Sequence, residues 1–278
     1  VPPGPWRSIL GFGVERNHAE HSVTISAEKH IMSLADEHLA DEAVHLAPET
    51  PDEASIMNLA PPPVETAEQQ AALAPMRTRA RSLVGGLVYV AQVHPAIAHA
   101  VARCCALMAM PTAAMYAAAK RILSWLSTRA KLGVTYGGHG VRSLHDLKPQ
   151  GTPARPMDER RDGSLSCTTD SDLSRHVMPK ATAAEAAANP PDKQSSRSQL
   201  GYDVSFAFGC LHGCSSRQQS IATETPAAEL QAASVAAAHL LHVKGVVRFV
   251  NLGILGHDKV HVWCDNEVTV LVSKDASP

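Results

Sequence analysis

Ser164-Leu165-Ser166-Cys167-Thr168-Thr169-Asp170 is the stretch on which the reading of this chain turns. Its short hydroxyl-rich and apolar run predicts a strand over 164–169, closed by a carboxylate. Two further acidic residues hold comparable places downstream. Glu229 lies in Ala227-Ala228-Glu229-Leu230-Gln231-Ala232-Ala233, in the first turn of a predicted helix. Asp265 follows a predicted strand over 259–264, in Val262-Trp263-Cys264-Asp265-Asn266. Carboxylates projected from strand end, helix and strand end can converge on one point and hold divalent metal. Metal held so can activate water and stabilise a leaving oxygen. Asp170, Glu229 and Asp265 are therefore the predicted catalytic and metal-ligating residues.

Around these three the pattern predicts further strands over 202–208 and 216–222. A helix over 226–249 is opened by Thr225 as cap and Pro226 as first helical residue, and a short helix covers 266–273. The polar Ala/Pro/Lys/Ser stretch at about 174–198 has no period and is expected to be a disordered insertion. Residues 137–163, rich in Gly, Pro and charge, are expected to form a linker that separates this unit from the upstream one. Upstream, strands are predicted over 6–14 and 22–25 with a turn at 17–21. Ser26 is expected to cap a helix that buries Ile31, Leu34 and Ala35. Prolines 48, 51, 61, 62 and 63 mark an extended linker within 46–65. A helix over 67–93 ends at Pro95, a second runs to about 110, and a third opens at Pro111-Thr112 with Ile122, Leu123 and Leu126 on one face. A strand over 132–136 follows. The expected fold class is α/β in the α+β sense.

Composition limits the alternatives. Of 278 residues 45% are hydrophobic but only 4% aromatic, so a core can form from small aliphatic side chains that each bury little area. A net charge of −2 excludes a global attraction to nucleic acid and leaves only local basic patches. The most apolar stretch, 82–110, is broken by His94, Pro95 and Arg103, and no membrane span is expected. Without a signal peptide, the expected location is the cytoplasm or nucleus.

Several blocks resemble copia-type retrotransposon Pol polyproteins in order and spacing. In the upstream half they are Ile9-Leu10-Gly11-Phe12-Gly13-Val14-Glu15-Arg16, Arg81-Ser82-Leu83-Val84-Gly85-Gly86-Leu87-Val88-Tyr89-Val90-Ala91, Ala118-Ala119-Lys120-Arg121-Ile122-Leu123 and Leu132-Gly133-Val134-Thr135-Tyr136. In the downstream half Ser215-Ser216-Arg217-Gln218-Gln219, Ala228-Glu229-Leu230 and Trp263-Cys264-Asp265-Asn266 continue the match. The resemblance implies the end of a reverse transcriptase palm at 1–45 and a linker with a helical thumb or connection at 46–136. Past the linker at 137–163 it implies a ribonuclease H-like mixed sheet with flanking helices at 164–278, lacking its last helix. It also implies Mg²⁺ (or Mn²⁺) as cofactor and an RNA–DNA hybrid or template–primer duplex as partner. The polymerase's paired aspartates are missing, since no Asp-Asp occurs in the sequence. A non-enzymatic remnant, at most a weak nucleic-acid binder or scaffold, is the competing expectation.

Basic residues in the upstream half could meet phosphate: Arg77, Arg79 and Arg81; Lys120 and Arg121; Arg129 and Lys131. Such contacts would be independent of sequence and sensitive to salt; the plainer reading is a solvated helix face. His18-x-x-His21 and Cys210-x-His212-x-Cys214 are tight clusters without a second ligand pair, expected to be ordinary turn and loop residues rather than zinc sites. Cys104 and Cys105 are expected to be core thiols, and Tyr89 and Trp125 core residues.

Overall fold

The computed structural model describes residues 7–40, 48–51, 56, 59–60, 62, 65–138, 165–172, 198–220, 222, 224–249 and 260–275. The chain forms two units, Val1–Arg142 and Ser143–Pro278. The described residues contain two four-stranded sheets and six helices, a mixed α/β composition of α+β type. The expected insertion at about 174–198, apart from the buried Ser198, and most of the expected linker, 139–163, lie outside the described residues.

In the first unit, β1 (Ser8–Ile9), β2 (Phe12–Asn17), β3 (Ser22–Ser26) and β4 (Gly133–Gly137) make an antiparallel sheet in that order. The single strand expected over 6–14 is in fact a hairpin, because Leu10 and Gly11 both take positive φ (49° and 85°). Two such residues give the turn whose twist matches that of paired strands. Tyr89 fastens it: its ring stacks on Phe12 with centroids 4.4 Å apart, and its hydroxyl donates to the Leu10 carbonyl. A Cβ on Gly11 would meet the Tyr89 hydroxyl at 2.7 Å, so the fastening also requires glycine there.

The helices of this unit are α1 (Glu28–His38), α2 (Ala67–Ala91), α3 (Ala98–Cys105) and α4 (Ala113–Ser127). Ser26 does not cap α1. It remains in β3, and Ala27, which has no capping side chain, occupies the cap position. The buried face of α1 is Ile31, Leu34 and His38, while Ala35 is only half-buried. Thr66 and Gln69 form a reciprocal capping box on α2, satisfying two otherwise orphaned amides. Thr112 accepts from the Met115 amide (3.1 Å) and starts α4 as expected. The helices share an aliphatic core of Leu83, Leu87, Ile97, Met115, Ile122, Leu123 and Leu126, filled between by Ala80, Ala100 and Ala119. Cys104 joins this core, while Cys105 is half-buried. Each large side chain there contributes about 1.5–3 kcal/mol on burial.

In the second unit, β5 (Ser166–Asp172), β6 (Gln199–Phe206), β7 (Gly209–Arg217) and β8 (His261–Cys264) form a sheet in the order β7-β6-β5-β8. Pairs β5–β6 and β6–β7 are antiparallel and β5–β8 is parallel. The strand expected over 216–222 lies earlier. Ala207 and Phe208 turn the chain at positive φ (50° and 68°), so Cys210 and Cys214 belong to β7 rather than to a loop. No Asn-Gly or Asp-Gly signal announces this turn. Helix α5 (Thr225–Phe249) connects β7 to β8, and α6 (Glu267–Asp275) follows β8. Ala228, Ala232, Ala236 and Leu240, four apart, are the buried stripe of α5, and the three alanines let the helix lie close on the sheet. Among the described residues α5 alone is long and apolar enough, by length and composition, to cross a bilayer, an 18-residue window of it having mean hydropathy 1.2. Its stripe is nevertheless packed, and Glu229, His239, Lys244 and Arg248 interrupt its apolar sequence.

Gly133 is the tightest constraint in the first sheet, since a Cβ there would meet the Ile25 carbonyl oxygen at 2.1 Å. We expect Gly133→Ala to lower the urea midpoint far more than Leu132→Ala, whose side chain is exposed. Leu123→Ala should cost about 2–5 kcal/mol by opening the core. Circular dichroism during urea titration reads all three, and equal midpoints for the two substitutions at 132 and 133 would contradict the packing described.

Candidate metal centre

The parallel pairing of β5 with β8 sets Thr169 opposite Cys264; Asp265 follows the end of β8 as expected, but Asp170 does not close its strand, because β5 stays paired with β6 as far as Asp172. Helix α5 packs on the sheet against β5, β6 and β8 and delivers Glu229 from its buried face. Glu229 is only 3% exposed, an unusual place for a carboxylate, and its two oxygens are separately engaged. Oε1 accepts from the Ser171 amide at 3.2 Å, and Oε2 accepts from Cys264 Sγ at 3.8 Å.

Glu229, Cys264 and Asp265 have ligand atoms all within 4.8 Å of one another, the one such group of three found among the described residues. Asp170 lies outside that group. It is exposed, on the strand positions alternate to buried Cys167, Thr169 and Ser171, yet near enough for its charge to act on Glu229. Of the three residues singled out by sequence, two therefore meet closely and the third stands beside them. Burial raises the Glu229 pKa above the usual carboxylate range, the nearby Ser171 hydroxyl and the hydrogen bond from the Ser171 amide oppose the rise, and the negative charges of Asp170 and Asp265 add to it. Burial also raises the Cys264 thiol, helped by Glu229 and Asp265 and opposed by hydrogen bonds from Asn266 and Thr169. Asn266 Oδ1 accepts from the Thr269 amide at 2.9 Å and caps α6, which holds the turn bearing Asp265.

Two participants escape a reading of the sequence. Cys264 is the residue before a predicted ligand, and strand alternation would point it away; β8 ends at Cys264, so the chain bends and both side chains reach the same space. Ser171 is 9% exposed and its Oγ has no hydrogen-bond partner of good geometry, although it lies close enough to Glu229 to lower its pKa. Asp172, whose backbone continues β5, has a side chain outside the described residues.

The remaining cysteine and histidine clusters do not converge. His18 and His21 are exposed in the β2–β3 turn. His212 instead stacks on His239 of α5 (centroids 5.5 Å) and shares a hydrogen bond with the Tyr202 hydroxyl (3.3 Å). No disulfide forms among the described cysteines.

The basic residues of the first unit divide. Arg77 is a structural residue rather than a surface phosphate ligand. It is 7% exposed, pairs with both Glu65 oxygens at 2.7 Å and donates from Nε to the Pro111 carbonyl at 3.1 Å. Arg81 donates to the Met108 and Ala109 carbonyls past the end of α3, and Arg79 donates to the Glu37 carbonyl; both remain exposed. Lys120 lies 5.1 Å from the Tyr116 ring centroid, Arg121 is half-buried on α4, and Arg129 covers Trp125 at 4.8 Å.

Comparison of the chain with protein-family models, with curated proteins and with solved structures finds no match.

Because the folded state favours protonated Glu229, its contribution to stability is fully present below the unfolded carboxylate pKa. That contribution is lost as pH rises through the raised folded value. Glu229→Gln, which mimics the protonated form, should therefore match the parent protein in acid and become the more stable of the two as pH rises toward neutrality, without metal. Thermal melts from pH 4 to pH 8 in chelator measure this, and a constant difference across the range would contradict the assigned shift.

Proposed function

We infer that the second unit is a ribonuclease H-like domain of a copia-type retrotransposon Pol polyprotein, and that the first unit is the end of its reverse transcriptase with a helical connection. The observation that carries this reading is the meeting of Glu229 and Asp265 within 4.8 Å, beside Asp170, where Asp265 follows the end of β8 and Asp170 lies within the parallel strand β5. The strand order β7-β6-β5-β8, three antiparallel strands followed by a helical crossover to a parallel fourth, supports it. It is the order a ribonuclease H sheet takes. The collinear motifs from Ile9 to Asn266 support it further.

Asp170, Glu229 and Asp265 would hold Mg²⁺ or Mn²⁺, and the orphaned Ser171 hydroxyl suits a site that completes its hydrogen bonds when filled. Bound there, the metal supplies an activated water and a counter-charge for the departing 3′-oxygen of RNA. The chain itself gathers the carboxylates on rigid elements and fixes Glu229 through the Ser171 amide. Its partner would be an RNA–DNA hybrid recognised by shape and 2′-hydroxyls, with Arg79, Arg81, Lys120 and Arg121 of the first unit offered to a template–primer duplex. One observation favours the competing reading of a non-enzymatic remnant: Asp170 stands outside the tight group, leaving two carboxylates and a thiol nearest one another.

Three converging carboxylates repel until a cation neutralises them, so millimolar Mg²⁺ or Mn²⁺ should raise the melting temperature. Asp170→Asn should abolish that rise together with any cleavage of a labelled RNA–DNA hybrid. A metal-induced rise that survives Asp170→Asn removes Asp170 from the site, while absence of both rise and cleavage in the parent protein identifies the remnant.

A further inference from the structure

The group closest together is not the all-carboxylate trio but one that includes sulfur. Cys264 Sγ lies 3.8 Å from Glu229 Oε2, and an Asp265 oxygen is within 4.8 Å of both residues' ligand atoms. A tetrahedral zinc, with Zn–S of about 2.3 Å and Zn–O of about 2.0 Å, sets sulfur and oxygen roughly 3.5 Å apart. Only a small contraction separates the observed pair from that edge. Thiolate is a poor ligand for Mg²⁺, which takes oxygens in octahedral geometry, and a good one for Zn²⁺ and Cd²⁺.

A second observation points to a ligand independently. The Ser171 hydroxyl, nine-tenths buried beside the Glu229 carboxylate, has no partner of good hydrogen-bond geometry. A water completing the coordination of an ion at this point would supply one. Exposed Asp265 leaves the group open to solvent on its side, giving an ion an entry path.

We propose that Glu229, Cys264 and Asp265 form a binding site for a thiophilic divalent cation, Zn²⁺ in the first instance, with one thiolate and two carboxylate ligands. Binding forms the metal–sulfur bond and releases the thiol proton to solvent; no oxidant or reductant takes part. Zn²⁺ would then occupy the space needed for Mg²⁺ and switch off hybrid cleavage. That competition rests on the nuclease reading given above, whereas the binding itself does not.

Cd²⁺ is the probe, because a cadmium–thiolate bond absorbs in the ultraviolet. Titrating the full chain should develop this band at one Cd²⁺ per chain. The band should survive in a Cys210→Ser/Cys214→Ser double variant, disappear in Cys264→Ser, and require more than about tenfold higher Cd²⁺ in Glu229→Gln. Loss of the band in the double variant, or its persistence in Cys264→Ser, overturns the proposal, as does its absence from the folded parent protein. Should Cys264→Ser fail to fold, Glu229→Gln and Asp265→Asn keep the thiol and decide the matter; unchanged Cd²⁺ affinity in both overturns it. A Cys264-dependent band without any Mg²⁺ effect on melting sustains this proposal while removing the ribonuclease reading.

Discussion

The second unit depends on the parallel pairing of β5 with β8. An antiparallel neighbour could be reached by a tight turn, but a parallel one requires a crossover, and α5 is the crossover. The alanine stripe of that helix sets how near it comes to the sheet, and nearness brings a carboxylate from its first turns against the Ser171 amide. Chain direction, helix packing and the position of Glu229 are thus one constraint seen at three scales. Were β8 displaced by a single residue along β5, Cys264 would no longer face Thr169 and the acidic residues would part.

Elements were legible in the sequence wherever a long period or a cap marks them. Thr112 before α4 announces its helix, and Ile122, Leu123 and Leu126, read on one face, fill the core. Tight hairpins were not legible. Leu10-Gly11 and Ala207-Phe208 adopt left-handed turns that their side chains scarcely favour, so the chain reads as one strand in the first case and as a displaced strand in the second. Tertiary contact explains the first, since Tyr89 arrives from α2 to hold it. Ser26 failed as a cap for a related reason: the β3 ladder keeps it extended.

At the site, the placement of Glu229 on its helix and of Asp265 after its strand could be read from local pattern, whereas Asp170 was expected past a strand end and lies inside β5, and relative depth could not be read at all. Whether a strand stops at Cys264 or continues decides which side chains share a face, and one residue's uncertainty in a boundary inverts the answer. Arg77 teaches the same lesson in the first unit. Its neighbours Arg79 and Arg81 are two and four residues away, yet only Arg77 falls on the inward line with Ala80 and Leu83, where Glu65 and the Pro111 carbonyl replace water. Removing one partner of so enclosed a pair leaves a bare charge behind.

The first sheet has a temporal side. Three of its strands precede the helical layer, but β4 follows the whole of that layer in the chain and pairs with β3 through a register that begins at Ser26 and Gly133. Until the ribosome has delivered β4, β3 carries a row of unsatisfied amides and carbonyls, an open template for any extended segment nearby. Closing that edge requires a contact between residues far apart in sequence, the kind that forms late. The same pairing that completes the sheet therefore makes the nascent chain dependent on its helices collapsing first, and exposes it to mispairing for as long as they have not.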